Sequence, residues 1–205
     1  MVVCTILDNI RNFCKNFLQF IRISCYNASK YVYGRVRKVA IKNAGDLLKK
    51  YNITDMPVDV EAICRGEDIE ISVINLKEVE EAHNRNVSGA LILKDGKKEI
   101  IVNEKDIHGR RRFTIAHELG HLFLHHCEVN DPKDRVIISF RGLRNKQEFE
   151  ADEFAAELLM PKKHVTRILK EVHLPYISIL AHRFDVSKSA MRYRLHLLNE
   201  NYIDL

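Results

Sequence analysis

His117-Glu118-Leu119-Gly120-His121 constrains this chain more than any other stretch. Two imidazoles four residues apart on a helix share one face and can grip one metal ion. Zinc is the expected ion, because neutral imidazole is a preferred zinc ligand and a helix fixes both nitrogens without the entropy cost of a flexible loop. Glu118 follows the first histidine directly, so it projects beside the metal, where it can hold and deprotonate a zinc-bound water. That is a hydrolase arrangement, although five residues of this kind also occur on ordinary surface helices. The flanking sequence decides between the two.

A catalytic zinc needs three protein ligands and one open position. The long metzincin signature would place a third histidine ten positions after the first with a glycine between, but Cys127 and Leu124 stand there, which excludes that class. The other route is an acidic residue on a following helix. Glu148-Phe149-Glu150-Ala151-Asp152 offers Glu148 as ligand, with Asp152 one turn later on the same face to accept the outer N–H of a ligand histidine. Glu150 is expected to point elsewhere and be solvated. His125, which continues the row from His121, and His126 and Cys127 read as surface or packing residues. So do His164, His173, Tyr176 and His182, and no second oxyanion donor is identifiable.

The expected fold is α+β: a small mixed or antiparallel sheet packed on helices that include the metal helix over residues 113–126. Residues 68–76 alternate as a strand, and residues 87–103 read as a hairpin around Asp95-Gly96. Its exposed edge is expected to pair with an extended segment of a target, with Gly89 and Ala90 as the positions to test. Short helices are expected from Arg35 to Tyr51 and from Val58 to Cys64. Residues 128–146, polar and broken by Pro132 and Gly142, read as a loop, and a buried helix over 148–160 spaces Phe149, Ala156, Leu159 and Met160 inward before Pro161.

Ahead of this lies an amphipathic helix in the first 25 residues, with Ile6, Ile10, Phe13, Phe17 and Ile21 on one stripe and Asp8, Arg11, Lys15 and Arg22 opposite. Its polar residues are too frequent for a membrane span. Packing on its own protein is the main expectation, with contact to an anionic membrane or a partner as the alternative. Five spread cysteines without a C-x-x-C pair suggest neither a disulfide framework nor a thiolate cage, so the cytoplasm is the expected compartment. Residues 1–38 carry seven basic side chains and one acidic, and residues 162–205 carry eight and four, around an acidic centre. Basic ends of this kind suit solvated helices and can aid contact with nucleic acid.

Phe113-Thr114-Ile115-Ala116-His117-Glu118-Leu119-Gly120-His121, taken with Glu148 and the run Phe154-Ala155-Ala156-Glu157-Leu158-Leu159-Met160-Pro161, resembles the ImmA/IrrE family of metallopeptidases over about residues 37–198. The resemblance implies a gluzincin-like fold, His117, His121 and Glu148 as zinc ligands, Glu118 as base, and a protein substrate that is commonly a DNA-binding repressor. Residues 180–195 resemble a helix-turn-helix, with Ser187 as cap of the second helix. Lys188 and Arg192, with Arg194 as a third candidate, would face phosphate if these helices met DNA. The chain thus divides into residues 1–34 (amphipathic helix and linker), 35–163 (zinc peptidase domain) and 164–205 (C-terminal helical region). The expected function is a zinc endopeptidase that removes a regulatory protein, a repressor of a phage or mobile element. The competing readings are a transcription regulator in which zinc only stabilises the fold, and a general degradative peptidase.

Overall fold

A computed structural model describes residues 41–94, 96–126, 134–143 and 145–204. The amphipathic helix and linker expected over residues 1–34, and their membrane or partner contacts, lie outside the described residues. In chain order the elements are α1 (Ala44–Lys50), α2 (Val60–Gly66), β1 (Ile69–Ile74), α3 (Lys77–His83), β2 (Val87–Lys94), β3 (Lys97–Asn103), α4 (His108–Phe123), β4 (Asp134–Phe140), α5 (Lys146–Leu159), α6 (Lys162–Glu171), α7 (Ile177–Phe184) and α8 (Lys188–Leu198). The fold class is α+β, as expected. Side chains start several of the helices. Asn43 accepts from the Asp46 N–H, Asp59 from Ala62, Asn145 from Glu148 and Ser187 from Ala190, each satisfying a backbone donor that the first turn leaves without a partner. Among the described residues no helix is long and apolar enough to cross a membrane.

The sheet runs β1-β3-β2-β4, with β1 parallel to β3 and both other pairings antiparallel. The hairpin forms in the expected place, Lys94 opposite Lys97, with Gly96 at φ 76° in the left-handed region that the tight turn requires. Two expectations need correction here. Residues 134–140 are a strand rather than loop, since Val136, Ile137, Ile138 and Phe140 form a β-rich run that the polar flanks obscured. Because β4 pairs with β2 through Gly89↔Ser139 and Ala90↔Ile138, the hairpin offers no free edge at Gly89 or Ala90. The outer position next to the hairpin belongs to β4.

Leu91 of β2, Ile100 and Val102 of β3 and Ile137 of β4 turn one face of the sheet into a core shared with Ile115, Ala116 and Leu119 of α4 and Phe154, Ala155 and Leu158 of α5. Ala156 and Leu159 of α5, and Met160 just after it, are buried as expected, but Phe149 is 49% exposed. Adjacent helical residues diverge by about 100°, and Glu148 takes the inward direction in that turn.

The same core continues through Val165 and Ile168 of α6, Leu180 and Phe184 of α7 and Met191 and Leu195 of α8. Here the phosphate-facing expectation fails for both arginines. Arg194 is buried, donating from Nε to the Met160 carbonyl at 2.8 Å and pairing with Glu157. Arg192 is engaged through both Nε and Nη2 by Asp204. The turn that leads into α8 packs on α4, for a Cβ on Gly109 would stand 2.8 Å from the Ser187 nitrogen. Glycine at 109 allows α4 and the α7–α8 turn to touch backbone to backbone. Arg112 tightens that junction, donating to the Asp185 and Val58 carbonyls at 2.9 and 2.7 Å.

Candidate metal centre

His117, Glu118 and His121 are all buried on α4. Opposite them, α5 comes unusually close at Gly120, where a Cβ would stand 3.0 Å from Ala151 Cα and 3.1 Å from its carbonyl oxygen. A side chain at 120 would push the helices apart, and the close approach delivers Glu148 from the first turn of α5 to the imidazoles. Asn145 Oδ1, accepting from the Glu148 N–H at 2.9 Å, fixes that turn.

The Nε2 atoms of His117 and His121 lie 3.0 Å apart, with Glu148 Oε2 at 3.3 Å from the first and Oε1 at 3.4 Å from the second. Donors about 2.0–2.1 Å from a zinc ion at tetrahedral angles stand about 3.3 Å from one another. The spacing therefore fits the ion, and two imidazole nitrogens with a carboxylate are a donor set of the right chemistry. Among the described residues these three are the group able to hold a metal ion.

Electrostatics point the same way. Burial works against a charge on His117, but hydrogen bonds to the Asp152 and Glu148 carboxylates outweigh it and carry the imidazole up to about 10. Burial would likewise raise Glu148, yet the two histidines hold it down at about 2. The pocket stabilises positive charge between its carboxylates and imidazoles, and a divalent cation can supply that charge in place of a proton.

The remaining expected residues also converge here. With Nε2 turned to the cluster, the His117 Nδ1–H donates to Asp152 Oδ1 at 2.8 Å, the arrangement that fixes a ligand's tautomer. Glu118 is fully buried, and burial raises its carboxyl above the ordinary range although His117 and Ser139 partly offset this. Its Oε1 accepts from Ser139 Oγ at 2.6 Å, while Oε2 is buried without a hydrogen-bond partner among the described residues. One oxygen is thereby positioned and the other is available to exchange a proton.

Three participants escaped the sequence reading. Ser139 was hidden with its strand. His126, expected as a surface or packing residue, has a side chain only 7% exposed, with Nδ1 3.0 Å from His121 Nδ1 and Nε2 3.1 Å from Glu150 Oε2. Glu150 is accordingly not simply solvated, since His126 and Lys146 both engage it. Nothing in helical periodicity signals the His126 contact, because it forms just beyond the end of α4. His164, expected as a surface or packing residue, is hydrogen-bonded to the Thr54 carbonyl at 2.9 Å.

Comparison with known proteins gives two kinds of match. The family model for the IrrE N-terminal-like domain, Peptidase M78, matches residues 64–196. An uncharacterized immunity region protein 2 of Bacillus phage phi105 is 32% identical over 117 residues, which are 56% of this chain and 64% of the relative. The metallopeptidase ImmA of Bacillus subtilis (strain 168) is 42% identical over 78 residues, 38% of this chain and 40% of the relative. In both cases the chain spans less than two thirds of the relative's length.

Proposed function

Because this chain belongs to the IrrE N-terminal-like peptidase family, Peptidase M78, we propose that it is a zinc-dependent endopeptidase whose substrate is a regulatory protein. The observation that carries this reading is the meeting of His117, His121 and Glu148 at zinc-ligand spacing beside the buried carboxyl of Glu118. In our reading the first three hold the ion and Asp152 orients His117. Zinc, when bound, would supply a Lewis acid for the scissile carbonyl and acidify a water. Glu118 is placed to take a proton from the attacking water at Oε2 while Ser139 holds Oε1, and to return it to the leaving amine. The outer edge of β4 binds the substrate as an added strand, with main-chain hydrogen bonds setting its register. We assign residues 35–163 as the peptidase domain, whose metal helix the α7–α8 turn braces through Asp185 and Ser187.

The names of the two relatives, an immunity region protein and a metallopeptidase, support a substrate in phage or mobile-element control. We take it to be a DNA-binding repressor of the helix-turn-helix type, which places the reaction in the cytoplasm. The test is co-expression with the repressor encoded nearest the gene, followed by mass mapping of fragments. The unaltered protein is expected to cut at one or a few positions, and Glu118→Gln to keep its zinc while losing about 10²–10⁴-fold in cleavage rate. Cleavage at the unaltered rate by Glu118→Gln would overturn the reading. Equal cutting of casein would favour general degradation.

A further inference from the structure

We propose that His126 and Glu150 are positioning residues for the metal centre, acting on His121 as Asp152 acts on His117. The inference rests on the metal centre of the reading above and extends it to two residues outside the ligand set.

The argument starts at the end of α4. His125 has φ 59°, and the His126 N–H donates to the His121 carbonyl at 3.1 Å while Leu124 N–H donates to Gly120. This is the Schellman way of ending a helix, in which a left-handed residue turns the chain back over its last turn. Glycine usually occupies that position, and a residue with a Cβ is strained there. The turn returns His126 to the side of His121, five residues earlier, and their rings meet edge to face with centroids 5.1 Å apart.

Hydrogen-bond direction follows from the geometry. His121 turns Nε2 toward His117 and Glu148, so a cation bound there leaves the ring's proton on Nδ1. That N–H points at His126 Nδ1, 3.0 Å away, which must accept and so carries no proton. The proton of His126 then sits on Nε2, where it donates to Glu150 Oε2 at 3.1 Å. The chain Nδ1–H to Nδ1, Nε2–H to carboxylate has one consistent polarity. It fixes the tautomer and the ring plane of His121 through an intervening imidazole.

Both supports come from α5, because Glu148 binds at the cluster, Asp152 backs His117, and Glu150, two residues after Glu148 and on another side of the helix, reaches the end of α4. A single helix thereby sets one ligand and the orientation of the other two.

The experiment measures zinc affinity of the full chain by competition with a chromophoric chelator, in the absence of substrate. His126→Phe keeps a ring but removes both nitrogens, and it is expected to weaken zinc binding about 10–100-fold, the usual cost of losing a partner behind a ligand histidine. His126→Asn places an amide oxygen near the position of Nδ1 and is expected to recover most of that loss. Glu150→Gln is expected to give a smaller loss, together with a shift in the visible bands of the cobalt(II)-loaded protein. Metal-free unfolding midpoints serve as the folding control. Zinc affinity within twofold of the unaltered protein for both His126→Phe and Glu150→Gln would overturn the proposal. If His126→Phe does not fold, unchanged affinity and unchanged cobalt bands in Glu150→Gln are enough to overturn it. Failure of the peptidase reading looks different, as tight zinc binding by the unaltered chain with no cleavage of any repressor.

Discussion

Ser139 and Cys64 show how burial gives single side chains opposite roles. Ser139 donates to a carboxylate that has no other hydrogen-bond partner among the described residues, so Ser139→Ala leaves a buried oxygen unsatisfied at a cost of about 1–3 kcal/mol. Part of that cost falls on the alignment of Glu118, and cleavage is expected to drop roughly tenfold with zinc content unchanged, as read by steady-state kinetics beside metal analysis. Cys64 sits in the core with its thiol pushed up to about 12 by burial, and nearby Glu61 adds to the effect. Since the thiolate is the reactive form, Cys64 in native protein at about pH 7.5 is expected to resist iodoacetamide and to react once urea unfolds the chain. Peptide mapping checks this. At this scale the sequence was informative wherever chemistry dictates spacing. The pairs His117 and His121, and Glu148 and Asp152, were legible because helix geometry ties residues one turn apart to one face, and Glu118 because it adjoins the first histidine. His126 and Glu150 were not, because a left-handed turn and a tertiary contact bring them together.

Between elements, the decisive contact is the crossing of α4 and α5 at Gly120. Gly120→Val would drive a branched side chain into the Ala151 backbone and Phe154, forcing the helices apart. A loss of about 1–3 kcal/mol in urea unfolding is expected, with zinc binding lost more severely than stability because Glu148 rides on the displaced helix. The hairpin, the metal helix and the Glu148 helix were readable from turn chemistry, motif and periodicity. Strand β4 was not, although its run of Val136, Ile137 and Ile138 carries a strand signal, since proline and glycine nearby outweighed it. The miss matters for the site: with β4 in place, the sheet edge adjoining the hairpin carries Ser139, which touches Glu118.

For the described molecule as a whole, the carboxyl-terminal helices share one core with the metal helix, and buried guanidinium groups tie them in. Arg194→Ala would strip the buried Met160 carbonyl and the half-exposed Glu157 of their partner and is expected to destabilise the fold by about 1–3 kcal/mol, measurable by urea titration. The sequence did indicate two capped helices here. Their orientation was illegible, because the same pattern of apolar and basic residues serves packing as readily as contact with phosphate. Glu157, Met160 and Asp204 decided the matter for the arginines. The central claim is a cation held jointly by two helices, and zinc stoichiometry after equilibrium dialysis tests it most directly. The account predicts one zinc per chain for the unaltered protein and for Glu118→Gln, and close to none for Glu148→Ala. Full retention of zinc by Glu148→Ala, or its absence from the unaltered chain, would contradict it.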